Sequence, residues 1–196
     1  MNANSHKQIA YYLDKIYLNS LPRHIRKAFI IGCIEPDKNP ATYFKGSLRY
    51  QWFRGHNWEN AQRYIHKIAN GLERKSRLNF IDYYKLGKLI HYTADAFTYA
   101  HNLHFQADLK AHRKYEQTLG SYITECFDNI SVSLDASASG ILDIIHSCRT
   151  SYIRTSSGII ADAAHTKRAC SGILSYLSAR DLFLTNGKPS STAKFS

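Results

Sequence analysis

Five side chains of the kinds that hold metal ions fall in one stretch of the chain: His91, Asp95, His101, His112 and Glu116, spaced H-x3-D-x5-H-x10-H-x3-E. His91/Asp95 and His112/Glu116 are each four residues apart, so each pair projects from one face of a helix. Imidazole nitrogens and carboxylate oxygens are usual zinc ligands, and an i, i+4 pair supplies two of them with little further ordering of the chain. Any one of these histidines alone is most simply a hydrogen-bonded core residue. Two pairs and a linking histidine within 26 residues point to a metal centre, and the donor types also suit iron or manganese.

Helices must position these groups, and the pattern reads as helical almost throughout. Ser5 followed by Gln8 has the form of a capping box, which places His6 in the first turn of a helix carrying Ile9, Leu13 and Ile16. A second helix is expected over about 21–34, with Pro22 suited to its first turn and Glu35-Pro36-Asp37 breaking it. Residues 38–56, with Gly46, Gly55 and many aromatics, read as an ordered loop, and Asn57 as the cap of a helix reaching about Lys75. Leu86, Leu89, Ile90, Thr93 and Phe97 form the stripe of a long helix expected over about 79–100. Another is expected over about 107–130, where Leu109, His112, Glu116, Leu119, Ile123 and Ile130 share a face. An inward carboxylate on that face requires a partner, and a metal ion is an efficient one. Helices over about 139–153 and 158–184 complete an all-α, single-domain bundle over 1–185, and 186–196 (NGKPSSTAKFS from Asn186) reads as a polar, disordered tail.

The 196 residues are enough for one domain with a sizeable core. No stretch approaches the roughly 20 apolar residues of a membrane span. The N-terminal MNANSHKQIAYYLDKIY has no apolar signal core, which gives a cytoplasmic expectation. Cys33, Cys126, Cys148 and Cys170 lie far apart without a CxxC pair, so they read as buried thiols rather than zinc thiolates. The net charge of +11 with neutral histidines favours anionic partners, whether phosphodiesters, nucleic acid or a membrane surface, or else a solvated basic surface.

The run HYTADAFTYAH over 91–101, followed by HRKYE over 112–116, resembles the zinc-dependent phospholipase C family, whose fold and site are shared by the S1/P1-type nucleases. Candidates for the family's other ligands precede it in the right order: His6, Asp37 in GCIEPD (32–37), and His56 in FRGH (53–56). The resemblance implies an all-α fold with three zinc ions. It implies that Asp37, His56, His91 and Asp95 hold one zinc and that His101, His112 and Glu116 hold a second. Asp95 would bridge to a third, bound also by His6 and by the amino and carbonyl groups of the first residue. Secreted members begin with tryptophan, whereas this chain begins Met1-Asn2, so two zinc ions are expected and the third depends on the Met1 amino group.

The implied reaction is phosphodiester hydrolysis by a zinc-bound hydroxide. Zinc lowers the pKa of bound water to roughly 7, and paired metals about 3.5–4 Å apart stabilise attacking and leaving oxygens in line. The family implies that Asp37 orients or deprotonates that water. Phe53 stands where choline-cleaving members carry an aromatic, while Lys38 stands where they carry tyrosine; a cation there favours an anionic group over choline. The expected substrate is a phospholipid or related phosphodiester, with peripheral membrane contact through basic charge and exposed aromatics. A single-strand nuclease with the same site, served by basic charge and stacking aromatics, is one alternative. A non-catalytic metal-binding regulatory protein is another. The absence of a His-Asp dipeptide counts against the metal-dependent HD phosphohydrolases. His104 is a reserve ligand, and Asp162 with His165 is a further pair that nothing nearby in sequence supports.

Overall fold

The computed structural model describes residues 1–39, 58–102, 108–135, 137–155 and 158–183. Among these residues there are helices and turns and no strand, as the periodicity implies. In chain order they are α1 (Ala3–Leu13), α2 (Arg23–Lys38), α3 (Trp58–Glu73), α4 (Phe80–Ala96), α5 (Leu109–Cys126), α6 (Ile141–Arg154) and α7 (Ile159–Ala179). None is long and apolar enough to cross a membrane. The expected loop falls almost wholly outside the described residues, and so do the Asn57 cap and the polar tail.

Helix α4 is the hub. Asn79 caps it through the amides of Ile81 and Asp82, and Asp82 returns a bond to the Asn79 amide, a capping box that satisfies donors at both positions. From Leu86 to Ala96 every side chain is buried, because α1, α2, α3 and α7 all pack around it. The apolar stripe read from sequence is therefore only part of a helix enclosed on all sides. One core cluster links residues from Met1 in the N-terminal segment to Phe183 after α7.

The closest packing is between α2 and α4. The pairs His24/Phe80, Gly32/Gly87 and Cys33/His91 advance together along both helices, so the two run parallel. A Cβ on Gly32 would lie 2.1 Å from the Tyr84 carbonyl oxygen, and one on Gly87 2.2 Å from that of Phe29. Only glycine at both positions permits this backbone contact.

Three helix ends differ from expectation. Asn2, not Ser5, caps α1: its side chain accepts the Ser5 amide at 2.9 Å, so the helix starts earlier and His6 becomes its fourth residue. Helix α2 runs through Pro36 to Lys38. A proline in the last turn removes one i to i−4 bond without ending the helix. Helix α4 stops at Ala96, and Tyr99–His101 form a separate 3-10 turn. The Thr98 hydroxyl bonds the Ala94 carbonyl, and Arg149 donates to the Ala96 carbonyl and to Asn102, so the free carbonyls at this end are met by side chains rather than by another helical turn. Of the four cysteines, Cys126 is partly exposed and the other three are buried thiols.

Candidate metal centre

The inner part of the centre is built on α1 and α4. His91 and Asp95 sit one turn apart on α4, with His91 Nε2 3.3 Å from Asp95 Oδ2. His6 comes in from α1, its Nε2 3.2 Å from Asp95 Oδ1, and its ring stacks on that of His91 at 3.8 Å between centroids. All three are buried, and one ligand atom from each lies within 4.8 Å of the others. Asp37, in the last turn of α2, faces both rings, at 3.7 Å from His91 Nε2 and 3.9 Å from His6 Nε2. Its side chain is 12% exposed, so it joins this buried group to the surface.

The close contact of α2 with α4 has a chemical consequence. It brings the Cys33 carbonyl to 2.9 Å from His91 Nδ1. A carbonyl only accepts, so Nδ1 carries the proton, which leaves Nε2, facing Asp95 and Asp37, as the ring atom that can ligate a metal. This is the tautomer and orientation that a metal-ligating histidine needs.

The outer part is built on the 3-10 turn and α5. Asp108 caps α5 by accepting the Ala111 amide at 2.8 Å, which starts the helix so that His112 and Glu116 fall on one face. His112 Nε2 lies 3.5 Å and His101 Nε2 3.0 Å from Glu116 Oε1. Asp95 and His101 are six residues apart, a spacing that would put them on different faces of one continuous helix. The break after Ala96 folds His101 back, to 3.5 Å between its Nδ1 and Asp95 Oδ1. His112 is 32% and Glu116 18% exposed, so this cluster opens to solvent.

The Met1 amino group lies between the two clusters, 2.6 Å from Asp95 Oδ1, 2.9 Å from His101 Nε2 and 3.2 Å from Glu116 Oε1. Asn2 seats it there by capping α1 and donating to the Glu116 carbonyl at 3.3 Å. Burial lowers the affinity of this amine for its proton, but Asp95 and Glu116 outweigh burial and raise it. Burial pushes both carboxyls up. It is outweighed at Asp95 by Met1 and the His101, His6 and His91 rings, and at Glu116 by hydrogen bonds from His101 and His112 and by Met1, so both lie below their usual range. Burial, and then the neighbouring His91, bring His6 down to about 4. Burial and the Met1 charge also lower His101.

Buried carboxylates facing imidazole nitrogens require a positive charge among them. The nitrogen and oxygen donors converging here are those that zinc takes, so the residues present fit the metal. Of the side chains expected to meet, His6, Asp37, His91, Asp95, His101, His112 and Glu116 do. Lys38 is exposed immediately after Asp37. His56, Phe53 and the reserve His104 lie outside the described residues. Sequence reasoning missed Asp162, which is fully buried and accepts hydrogen bonds from Tyr99, Tyr115 and Tyr152. The Asp162/His165 spacing was visible, but Asp162 partners these tyrosines, while His165 stacks on Phe97.

No curated protein and no solved structure matches this chain. The family model described as zinc dependent phospholipase C matches residues 5–167, a span that takes in both clusters and most of the sequence. On that match and on the all-helical architecture, the chain belongs to the zinc-dependent phospholipase C family.

Proposed function

We propose that this protein hydrolyses a phosphodiester, most simply that of an anionic phospholipid, with zinc held by the two clusters on a single domain over residues 1–185. The observation that carries the reading is the convergence of three histidines and two carboxylates from α1, the 3-10 turn, α4 and α5 around one buried positive charge. Asp37, His91 and Asp95, with His56 as a further ligand, hold one ion. His101, His112 and Glu116 hold a second. His6, the other oxygen of Asp95 and the Met1 amine, once deprotonated, make a third place. Zinc bound there lowers the pKa of a coordinated water and polarises phosphoryl oxygens.

The chain's own groups do the rest. Asp37, the inner residue that reaches solvent, accepts a proton from the attacking water as its oxygen bonds to phosphorus. The bond from phosphorus to the glycerol oxygen breaks, and that oxygen takes a proton from solvent, giving diacylglycerol and a phosphorylated head group. Lys38, exposed beside Asp37, favours an anionic head group over choline, and the family resemblance makes Phe53 a further candidate contact for the substrate.

The test is zinc content by elemental mass spectrometry, followed by turnover of phosphatidylglycerol and phosphatidylcholine vesicles and of single-stranded DNA. Zinc-dependent release of diacylglycerol, faster from phosphatidylglycerol, is expected. Release of nucleotides instead would make this a nuclease with the same centre. Asp37→Asn should lower activity by about 10²–10⁴-fold, the range for a proton-transfer group, while most zinc is retained. A variant with full activity would remove Asp37 from the reaction, and a wild-type chain that takes up no zinc would sink the reading.

A further inference from the structure

Asp162 occupies the first turn of α7, its amide bonded to the Gly158 carbonyl at 2.9 Å. Its carboxylate is fully buried, and among the described residues no lysine, arginine or histidine nitrogen pairs with it. Three donors from three other segments meet it instead. Oδ2 accepts the Tyr99 amide at 2.7 Å and the Tyr115 hydroxyl at 2.8 Å, and Oδ1 accepts the Tyr152 hydroxyl at 2.8 Å.

Two of these donors are close in sequence to the outer ligands. Tyr99 opens the 3-10 turn that ends in His101, and Tyr115 precedes Glu116 on α5. Tyr152, on α6, fixes the other carboxylate oxygen. Arg149 holds the far end of the same turn through the Asn102 side chain at 2.6 Å. The turn that presents His101 is thus bound on one side to α7 and on the other to α6, and not to the end of α4 alone.

A buried carboxylate without a cationic partner is a costly way to fill space, and an apolar side chain of similar volume would stabilise at least as well. What an apolar side chain cannot do is accept a backbone amide and two hydroxyls at fixed angles. Burial raises the Asp162 carboxyl to about 6 against the pull of its three donors, and three bonds donated to its two oxygens are what a carboxylate accepts.

We propose that Asp162 is a positioning residue for the outer cluster, setting the separation of His101 and Glu116 through Tyr99 and Tyr115. This rests on the reading of those residues as zinc ligands. The arrangement resembles the hydrogen-bonded partners behind metal ligands, whose loss costs about 10–100-fold in metal affinity.

The test is Asp162→Ala in the full chain, with zinc affinity measured by competition against a chromophoric chelator and Tyr99 amide exchange followed by NMR. Alanine removes both acceptor oxygens, so the Tyr99 amide and the Tyr115 and Tyr152 hydroxyls all lose their acceptor. One zinc should bind about 10–100-fold more weakly, the remaining zinc should be unchanged, and the Tyr99 amide should exchange faster. Leu174→Ala, which opens the core beneath the same helix, is the control for stability and should weaken no single zinc selectively. If Asp162→Ala does not fold, Tyr115→Phe decides, with selective weakening of one zinc expected. Unchanged affinity in the variant that folds, or equal weakening of every zinc in step with Leu174→Ala, would overturn the inference. Either result leaves the function intact, whereas a wild-type chain that takes up no zinc sinks the function itself.

Discussion

The inner and outer clusters use the same donor types in opposite settings. The inner one takes His91 and Asp95 from the middle of the most enclosed helix and His6 from α1, all buried. The outer one takes His101 from a short turn and His112 and Glu116 from the first two turns of α5, all partly exposed. Structural zinc sites are closed on every side, while catalytic ones keep a position open. The difference therefore separates a part of the centre that the helices enclose from a part that opens to solvent. It also separates what a change in the core disturbs from what a change at a helix end disturbs.

Asp95 is where the comparison is most easily broken, because it belongs to both halves. One of its oxygens faces His91 and the other faces His6, His101 and Met1. Asp95→Ala leaves the buried Met1 ammonium without its nearest counter-charge. We expect loss of activity and of nearly all zinc, and a metal-free protein destabilised by about 3–5 kcal/mol, the range for breaking a buried ion pair. Denaturant unfolding with chelator present measures the second quantity. A variant that retained one cluster's zinc would show that the two halves load independently.

Acid should act on the inner cluster through His6. Its folded pKa, about 4, lies below the unfolded value of about 6.5. Between these values the unfolded chain binds more protons than the folded one, so stability falls as the pH is lowered through that window. The depressed carboxyls of Asp95 and Glu116 add a loss of the same sign as the pH falls through the ordinary carboxylate range. For His6 alone the metal-free chain should lose on the order of 2–3 kcal/mol between pH 7 and pH 4. His6→Gln should flatten that part of the profile. An unchanged slope in His6→Gln would mean that the His6 ring accepts its proton without cost to the fold.

The contact between α2 and α4 reaches the inner cluster alone. Gly87→Ala would place a Cβ against the Phe29 carbonyl and 2.8 Å from the Cys33 amide nitrogen, and backbone atoms cannot rotate away. A destabilisation of about 1–3 kcal/mol is expected, as for other overpacked cores. Moving the Cys33 carbonyl off His91 should also weaken zinc at the inner cluster by about 10–100-fold. Zinc at His101, His112 and Glu116 should hold, and its loss together with the inner zinc would show that the two clusters are mechanically one.

How far the sequence revealed this centre follows from how local each relationship is. The pairs His91/Asp95 and His112/Glu116 were legible because four residues is one helical turn, and the buried stripe of α4 because apolar side chains repeat at the same period. The family resemblance supplied His6 and Asp37. Hidden from the sequence were relationships that depend on distant segments. Pro36 read as a helix breaker, yet α2 continues through it because the proline falls in the last turn. The end of α4 was placed four residues late, because side chains far along the chain, such as Arg149, satisfy its free carbonyls. The role of Asp162 depends on Tyr99 and Tyr115, 63 and 47 residues away, and no local spacing encodes it.

The smallest expected effect isolates the outer cluster. Asp108 is exposed; its side chain accepts the Ala111 amide, while its carbonyl accepts the amide of His112 at 3.0 Å. Asp108→Ala removes the side-chain cap and should cost about 1 kcal/mol, the usual value for such a cap. The first turn of α5 then frays, and His112, the fourth residue of the helix, spends part of its time away from Glu116. If the whole of that cost falls on metal binding, zinc affinity at the outer cluster drops about fivefold, and Asp108→Asn, which also caps, should restore it. The inner cluster, buried on α1 and α4, should bind as before. Equal weakening of both would mean that the helix end and the buried core respond as one unit, and the contrast between enclosed and accessible halves would then fail at its most delicate point.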